Sequence, residues 1–191
     1  MKRILFAAAV FAGMFSAFAA GELRLDLRKV GDTTLSDITV SEGLRIAVQD
    51  PKGAKEGITK ALIYSEKLTN EWKKFTVTFV PEDDGRISLA FHTVGSGKLD
   101  SIKPLWIDDV QVTGGKIVNG GFETLKNGAP ASWRMMRHKE KAEYSSKLIT
   151  GKAAEGENCV QIFYNTGMVS QAIRVTADEK VTLTFQARLA E

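Results

Sequence analysis

FTVTFVPEDDGRISLAF, residues 75–91, decides the fold class. Phe75, Val77 and Phe79 alternate with Thr76, Thr78 and Val80, and Ile87, Leu89 and Phe91 repeat that spacing after Pro81-Glu82-Asp83-Asp84-Gly85. A period of two sends successive side chains to opposite faces of a strand, so each run has one face to bury. The acidic, glycine-ended segment between them is turn chemistry, and the whole stretch is expected to be a hairpin.

The same grammar extends outward in both directions. Leu23, Leu25 and Leu27 alternate with Arg24, Asp26 and Arg28; Leu44, Ile46 and Val48 repeat the period, as do Val160, Ile162 and Tyr164. AIRVTADEKVTLTF, residues 172–185, has the same design as 75–91 and is expected to be a second hairpin, so an internal repeat is one reading. Helix signals are weak: Gly57 interrupts 54–61, and 134–144 has no continuous apolar face. Short strands with turn signals between them predict an all-β protein, a sandwich or a barrel.

Residues 1–20 read as a leader rather than as part of the fold. Lys2 and Arg3 precede an apolar run from Ile4 to Phe15, and Ala17-Phe18-Ala19 has the small-x-small pattern of a cleavage site. The run is shorter than the roughly 20 residues of a spanning helix, so removal and a secreted or periplasmic location are expected, with no membrane association afterwards. Without Lys2 and Arg3 the 26 basic residues fall to 24 against 23 acids, a net charge of +1. With no basic run or basic helix, a nucleic-acid partner is not expected. The single cysteine, Cys159, excludes an internal disulfide and reads as a small buried hydrophobe.

IVNGGFETLKNGAPASW, residues 117–133, resembles the opening of carbohydrate-binding modules of the family 4, 9 and 22 type: an Asn-Gly-Gly-Phe-Glu element, a short loop, then a tryptophan. ENCVQIFYN (157–165) and VSQAIRVTADEKVTLTFQAR (169–188) are similar to the strands that follow in such modules. EWKKFTVTFVPEDDGRISLAF (71–91) and LWIDDVQVTGG (105–115) are similar to their closing strands. The resemblance implies an antiparallel β-sandwich of the jelly-roll, galactose-binding-like kind. The closing strands come first in this chain. One expectation is therefore a tandem protein, with a first sandwich at 21–114 and a second, incomplete one at 115–191. The alternative is that the two halves complete one another as a single permuted sandwich.

A sugar offers apolar C–H faces rimmed by hydroxyls, so its site needs an aromatic platform and planar hydrogen-bonding groups. The candidates are Trp133, Tyr144 and Tyr164 with Gln171, Gln186 and Arg188. Gln186 and Arg188 share a strand face opposite Leu183 and Phe185, while Tyr164 has the parity of Val160 and Ile162 and Trp133 matches a tryptophan that is often core. The resemblance further implies a structural calcium, with Asp109 and Glu123 at the positions that supply carboxylates, an assignment that requires the permuted arrangement. His92 and His138, the only histidines, lie in no nucleophile, zinc or phosphate motif, so no enzyme is expected. The expected function is non-catalytic polysaccharide binding; the alternative is a structural or adhesive envelope protein that binds no sugar.

Overall fold

The computed structural model describes residues 24–25, 43–49, 59–64, 68–94, 103–163 and 166–190. The expected leader and Tyr164 lie outside them. Fourteen strands follow in chain order: β1 (Arg24–Leu25), β2 (Gly43–Gln49), β3 (Thr59–Tyr64), β4 (Lys73–Pro81), β5 (Gly85–Val94), β6 (Leu105–Thr113), β7 (Leu125–Lys126), β8 (Ala129–Pro130), β9 (Trp133–Met135), β10 (Lys147–Thr150), β11 (Asn158–Ile162), β12 (Gly167–Ser170), β13 (Ile173–Val175) and β14 (Val181–Leu189). A 3-10 turn, Ala142–Tyr144, is the only helical element among the described residues. The protein is all-β.

Two sheets pack face to face. Sheet one has the order β1-β4-β14-β6-β11-β10; sheet two has β3-β2-β5-β12-β9, with β13 also on β5. Neighbours are antiparallel apart from the short parallel contact of β1 with β4. One hydrophobic cluster joins the sheets, with Ile46, Leu89 and Phe91 from sheet two against Phe79, Ile107, Val160 and Phe185 from sheet one. Phe185 meets Phe91 edge-on at 5.3 Å and stacks on Phe75 at 5.3 Å. Each such buried side chain contributes roughly 1.5–3 kcal/mol.

The two expected hairpins are not hairpins. β4 and β5 lie in different sheets, as do β13 and β14, so each polar turn carries the chain across the core instead of back along its neighbour. The two similar stretches pair with each other: Val181 stands opposite Phe79 in sheet one, and Ile173 opposite Ile87 in sheet two. The turns meet as well, through Asp178 N donating to Pro81 O (2.8 Å) and Ala177 N to Asp84 Oδ1 (2.8 Å). Alternation assigns the inward face of a strand but is silent about its partner.

The boundary expected between 114 and 115 does not separate two sheets. β14 lies between β4 and β6, and β12 and β13 lie against β5, so strands from both sides of that boundary alternate in each sheet. An incomplete second sandwich would have left long unpaired edges, which favour aggregation. Here the halves supply each other's missing neighbours.

Candidate ligand-binding face

β14 sets the geometry of the face. Val181, Leu183, Phe185, Ala187 and Leu189 are buried in the core, while Thr182, Thr184, Gln186 and Arg188 project from the other side of sheet one and are partly exposed. The register then assembles rows across that outer side. Thr78, Thr182 and Thr113 form one row, Thr76, Thr184 and Gln111 a second, Lys74, Gln186 and Asp108 a third, and Arg188, Trp106 and Gln161 a fourth. The third row exists because β6 carries a bulge. Thr184 pairs with Gln111 but Gln186 with Asp108, and the additional residue, Asp109, takes a φ of 47°. Ile107 and Val110 therefore both face the core, three residues apart, and Asp108 is left on the outer side.

Trp72 and Trp106 are the aromatic groups of this face. Trp106 is 4 % exposed and donates its indole N–H to Gln161 Oε1 at 3.0 Å. The Arg188 guanidinium lies 4.9 Å from the Trp106 ring and 5.9 Å from that of Trp72, and Lys152 Nζ lies 5.3 Å from Trp106. Trp72 is half-buried and packs with Ile149 and Ala153 against a second small cluster of Trp106, Cys159 and Ala190. Burial, and then the charge of Asp108, push the Cys159 thiol up to about 12, with Arg188 acting against them, so this cysteine is a packing group.

Two carboxylates fix the segment that borders the face. Asp108 Oδ2 accepts from Ala154 N (2.9 Å) and Glu155 N (3.0 Å), while its Oδ1 accepts from Asp109 N (2.7 Å). Glu123 Oε1 accepts from Glu157 N (2.9 Å) and Asn158 N (3.0 Å), and its Oε2 from Asn158 Nδ2 (2.9 Å). Gly156 lies between them with a φ of 72°, a conformation that favours glycine, and a Cβ there would press on the Glu123 carboxylate. The Asn-Gly-Gly-Phe-Glu element positions Glu123. The Asn119 side chain closes its own loop on Thr124 and the Ala131 carbonyl, and its backbone carbonyl takes the Trp133 indole N–H at 2.9 Å. Phe122 is fully buried against Trp133, with ring centres 5.2 Å apart.

The two carboxylates titrate in opposite senses. Burial raises Asp108 to about 6, against the lowering effect of its three N–H donors, while the charge of Asp109 adds to the rise. Hydrogen bonds, first from the Asn158 backbone, hold Glu123 below the usual range. A raised carboxyl favours the fold most below its unfolded value of 3.8 and loses that contribution as pH rises through about 6. The span is at most about 3 kcal/mol. Denaturant titrations in EDTA should therefore show the stability difference between wild type and Asp108→Asn moving against wild type by up to that amount between pH 4 and pH 7. A difference that is constant with pH would contradict the assignment. Glu123 acts the other way, losing its contribution on acidification.

The candidate residues are dispersed. Gln186 and Arg188 share the outer face of sheet one. Trp133 is 7 % exposed in the core beside Phe91 and Phe122, which leaves no ring face for a ligand. Tyr144 sits in the 3-10 turn, stacked on Phe163 at 4.6 Å, and its carbonyl accepts from Thr166 Oγ1 beside β12. The Gln171 side chain bridges Ser132 O and Val118 N at 3.2 Å each, also beside β12. Of the expected metal pair, Glu123 reaches the 154–158 segment, whereas Asp109 accepts from Gln111 Nε2 at 2.6 Å; the carboxylate that joins Glu123 on that segment is Asp108. Among the described residues no three His, Cys, Asp or Glu side chains gather as a metal group. Trp72, Trp106 and Gln161 were not among the candidates. The available signal was parity, since Trp106 and Asp108 alternate with the inward Leu105 and Ile107.

Comparison with known proteins adds no relative, since no protein family, curated protein or solved structure matches the chain.

Proposed function

We propose that the protein is an exported, non-catalytic glycan-binding β-sandwich of the jelly-roll, galactose-binding-like type, whose ligand lies on the outer face of sheet one. The observation that carries this is the placement of Gln186 and Arg188 on the side away from the core, beside a half-buried Trp72. An amide, a guanidinium and an indole are the groups that pair with sugar hydroxyls and cover a sugar's C–H face. Calcium belongs to the proposal as a structural ligand near Asp108 and Glu123. Both are oxygen donors of the kind it takes.

The structural or adhesive alternative draws on the other end of the same face. There Thr76, Thr78, Thr113, Thr182 and Thr184 present short hydroxyls and no ring. Affinity electrophoresis of the mature protein through a panel of soluble polysaccharides, with calcium or with EDTA, separates the two. Retardation by at least one polysaccharide, weakened in Trp72→Ala, supports glycan binding. Unretarded migration in every gel supports the structural protein. A melting temperature raised by calcium in wild type but not in Glu123→Gln supports the cation; equal melting temperatures remove it.

A further inference from the structure

We infer that the ligand face has a subsite at the β6 bulge for one neutral sugar residue, held by two adjacent hydroxyls. This rests on the glycan-binding proposal and adds the part of the site that selects the sugar. A cavity of about 300 Å³ opens there, lined by Asp109, Gln111 and Val112 of β6 and by Lys116, Ile117 and Gly121 of the chain that follows. That volume is at the low end for ligand pockets, room for one ring rather than for a length of polymer. The cavity adjoins the face already described, because Gln111 stands opposite Thr184, two residues from Gln186 along β14. At about 3.4 Å per residue the separation is about 7 Å, within reach of neighbouring residues of one glycan.

The polar groups of the cavity are accessible and already paired. Gln111 is exposed and Asp109 is half-exposed, and Gln111 Nε2 donates to Asp109 Oδ1 at 2.6 Å. The other carboxylate oxygen, the amide oxygen and the second amide N–H remain to meet a ligand. Vicinal hydroxyls, each able to donate and to accept, match that set. The backbone beneath is fixed: Asp109 N is bound by Asp108 Oδ1 at 2.7 Å, and Val110 N donates to Gly120 O at 3.0 Å. Little backbone freedom is therefore lost on binding. The lining holds one acid, Asp109, and one base, Lys116, so no field of a single sign draws a charged sugar. Val112 and Ile117, both partly buried, give an aliphatic wall for the C–H face of a ring. Gly121 keeps the space open, since a Cβ there meets nothing within 4 Å.

The test uses the full mature protein in affinity gels containing galactomannan, xylan, β-glucan or polygalacturonate. At least one of the three neutral polysaccharides is expected to retard wild type more than polygalacturonate does. Asp109→Asn/Gln111→Ala should weaken that binding about tenfold at unchanged melting temperature, because asparagine accepts the positive φ of position 109 and Gln111 is a surface residue. Gly121→Leu, which crowds the cavity and leaves its polar groups in place, should weaken it comparably. Lys126→Gln, on the exposed β7, should leave it unchanged. Wild-type retardation of both cavity variants, with Trp72→Ala still impaired, would overturn the subsite and leave glycan binding standing. A preference for polygalacturonate would overturn the neutral ligand. Failure of every polysaccharide to retard wild type would remove glycan binding itself, and the subsite with it.

Discussion

Replacing Phe185 with alanine is expected to lower the unfolding free energy by about 3–5 kcal/mol. Phe185 is 1 % exposed, stacks on Phe75 within sheet one and meets Phe91 of sheet two edge-on. Its removal leaves a cavity at the contact between the layers, where neither sheet can collapse without shifting the other. For a chain of this size the loss corresponds to a fall of roughly 6–20 °C in melting temperature. Circular dichroism and tryptophan fluorescence should report the same fall. Trp72 and Trp106 lie before residue 115 and Phe185 after it, yet all three belong to one packed unit. Fluorescence from the tryptophans that melts at the wild-type temperature while circular dichroism shifts would contradict a single cooperatively folded unit.

Gly120→Ala should cost about 3 kcal/mol or more, while Gly121→Ala next to it should stay within about 0.5 kcal/mol. A Cβ at 120 would fall on the Val110 carbonyl, with the carbonyl carbon 2.8 Å away, whereas one at 121 meets nothing within 4 Å. The obstruction is backbone of β6, which cannot rotate aside. Val110 N also donates to Gly120 O at 3.0 Å, so displacing the loop breaks the bond that seats it. The damage should spread to Phe122 and Glu123 and loosen the 154–158 segment. Parallel chemical denaturation of the two variants checks this, and equal stabilities would show that the loop moves freely.

These two sites show what was legible in the sequence and what was not. The inward face of β14 could be read directly, because Val181, Leu183 and Phe185 alternate with polar residues and the structure buries that same set. The strand partners could not. An alternating run fits equally well against the strand before its turn or against a strand a hundred residues away, and β4 takes the second course with β14. The Asn-Gly-Gly-Phe-Glu element was visible as a special backbone, but its work is to seat Phe122 and Glu123. The bulge at Asp109 changes the parity of β6 midway, so the outward placement of Asp108 beside an inward Val110 follows only once the pairing with β14 is known. Trp133 went to the core and Trp72 to the face because tryptophan is compatible with both, and the choice depends on packing that alternation does not encode.

The interleaving of the two halves is tested most directly by a cross-link. Thr78 and Thr182 stand opposite each other on β4 and β14, with hydroxyl oxygens 3.3 Å apart, and a disulfide needs Cβ atoms about 3.5–4.5 Å apart. Thr78→Cys/Thr182→Cys, mildly oxidised in the native state, should become an intramolecularly bridged monomer that migrates faster on a non-reducing gel, with Cys159 as its remaining thiol. If both introduced thiols stay titratable under those conditions, or bridge only between molecules, β14 does not lie beside β4 and the face built on that pairing does not exist.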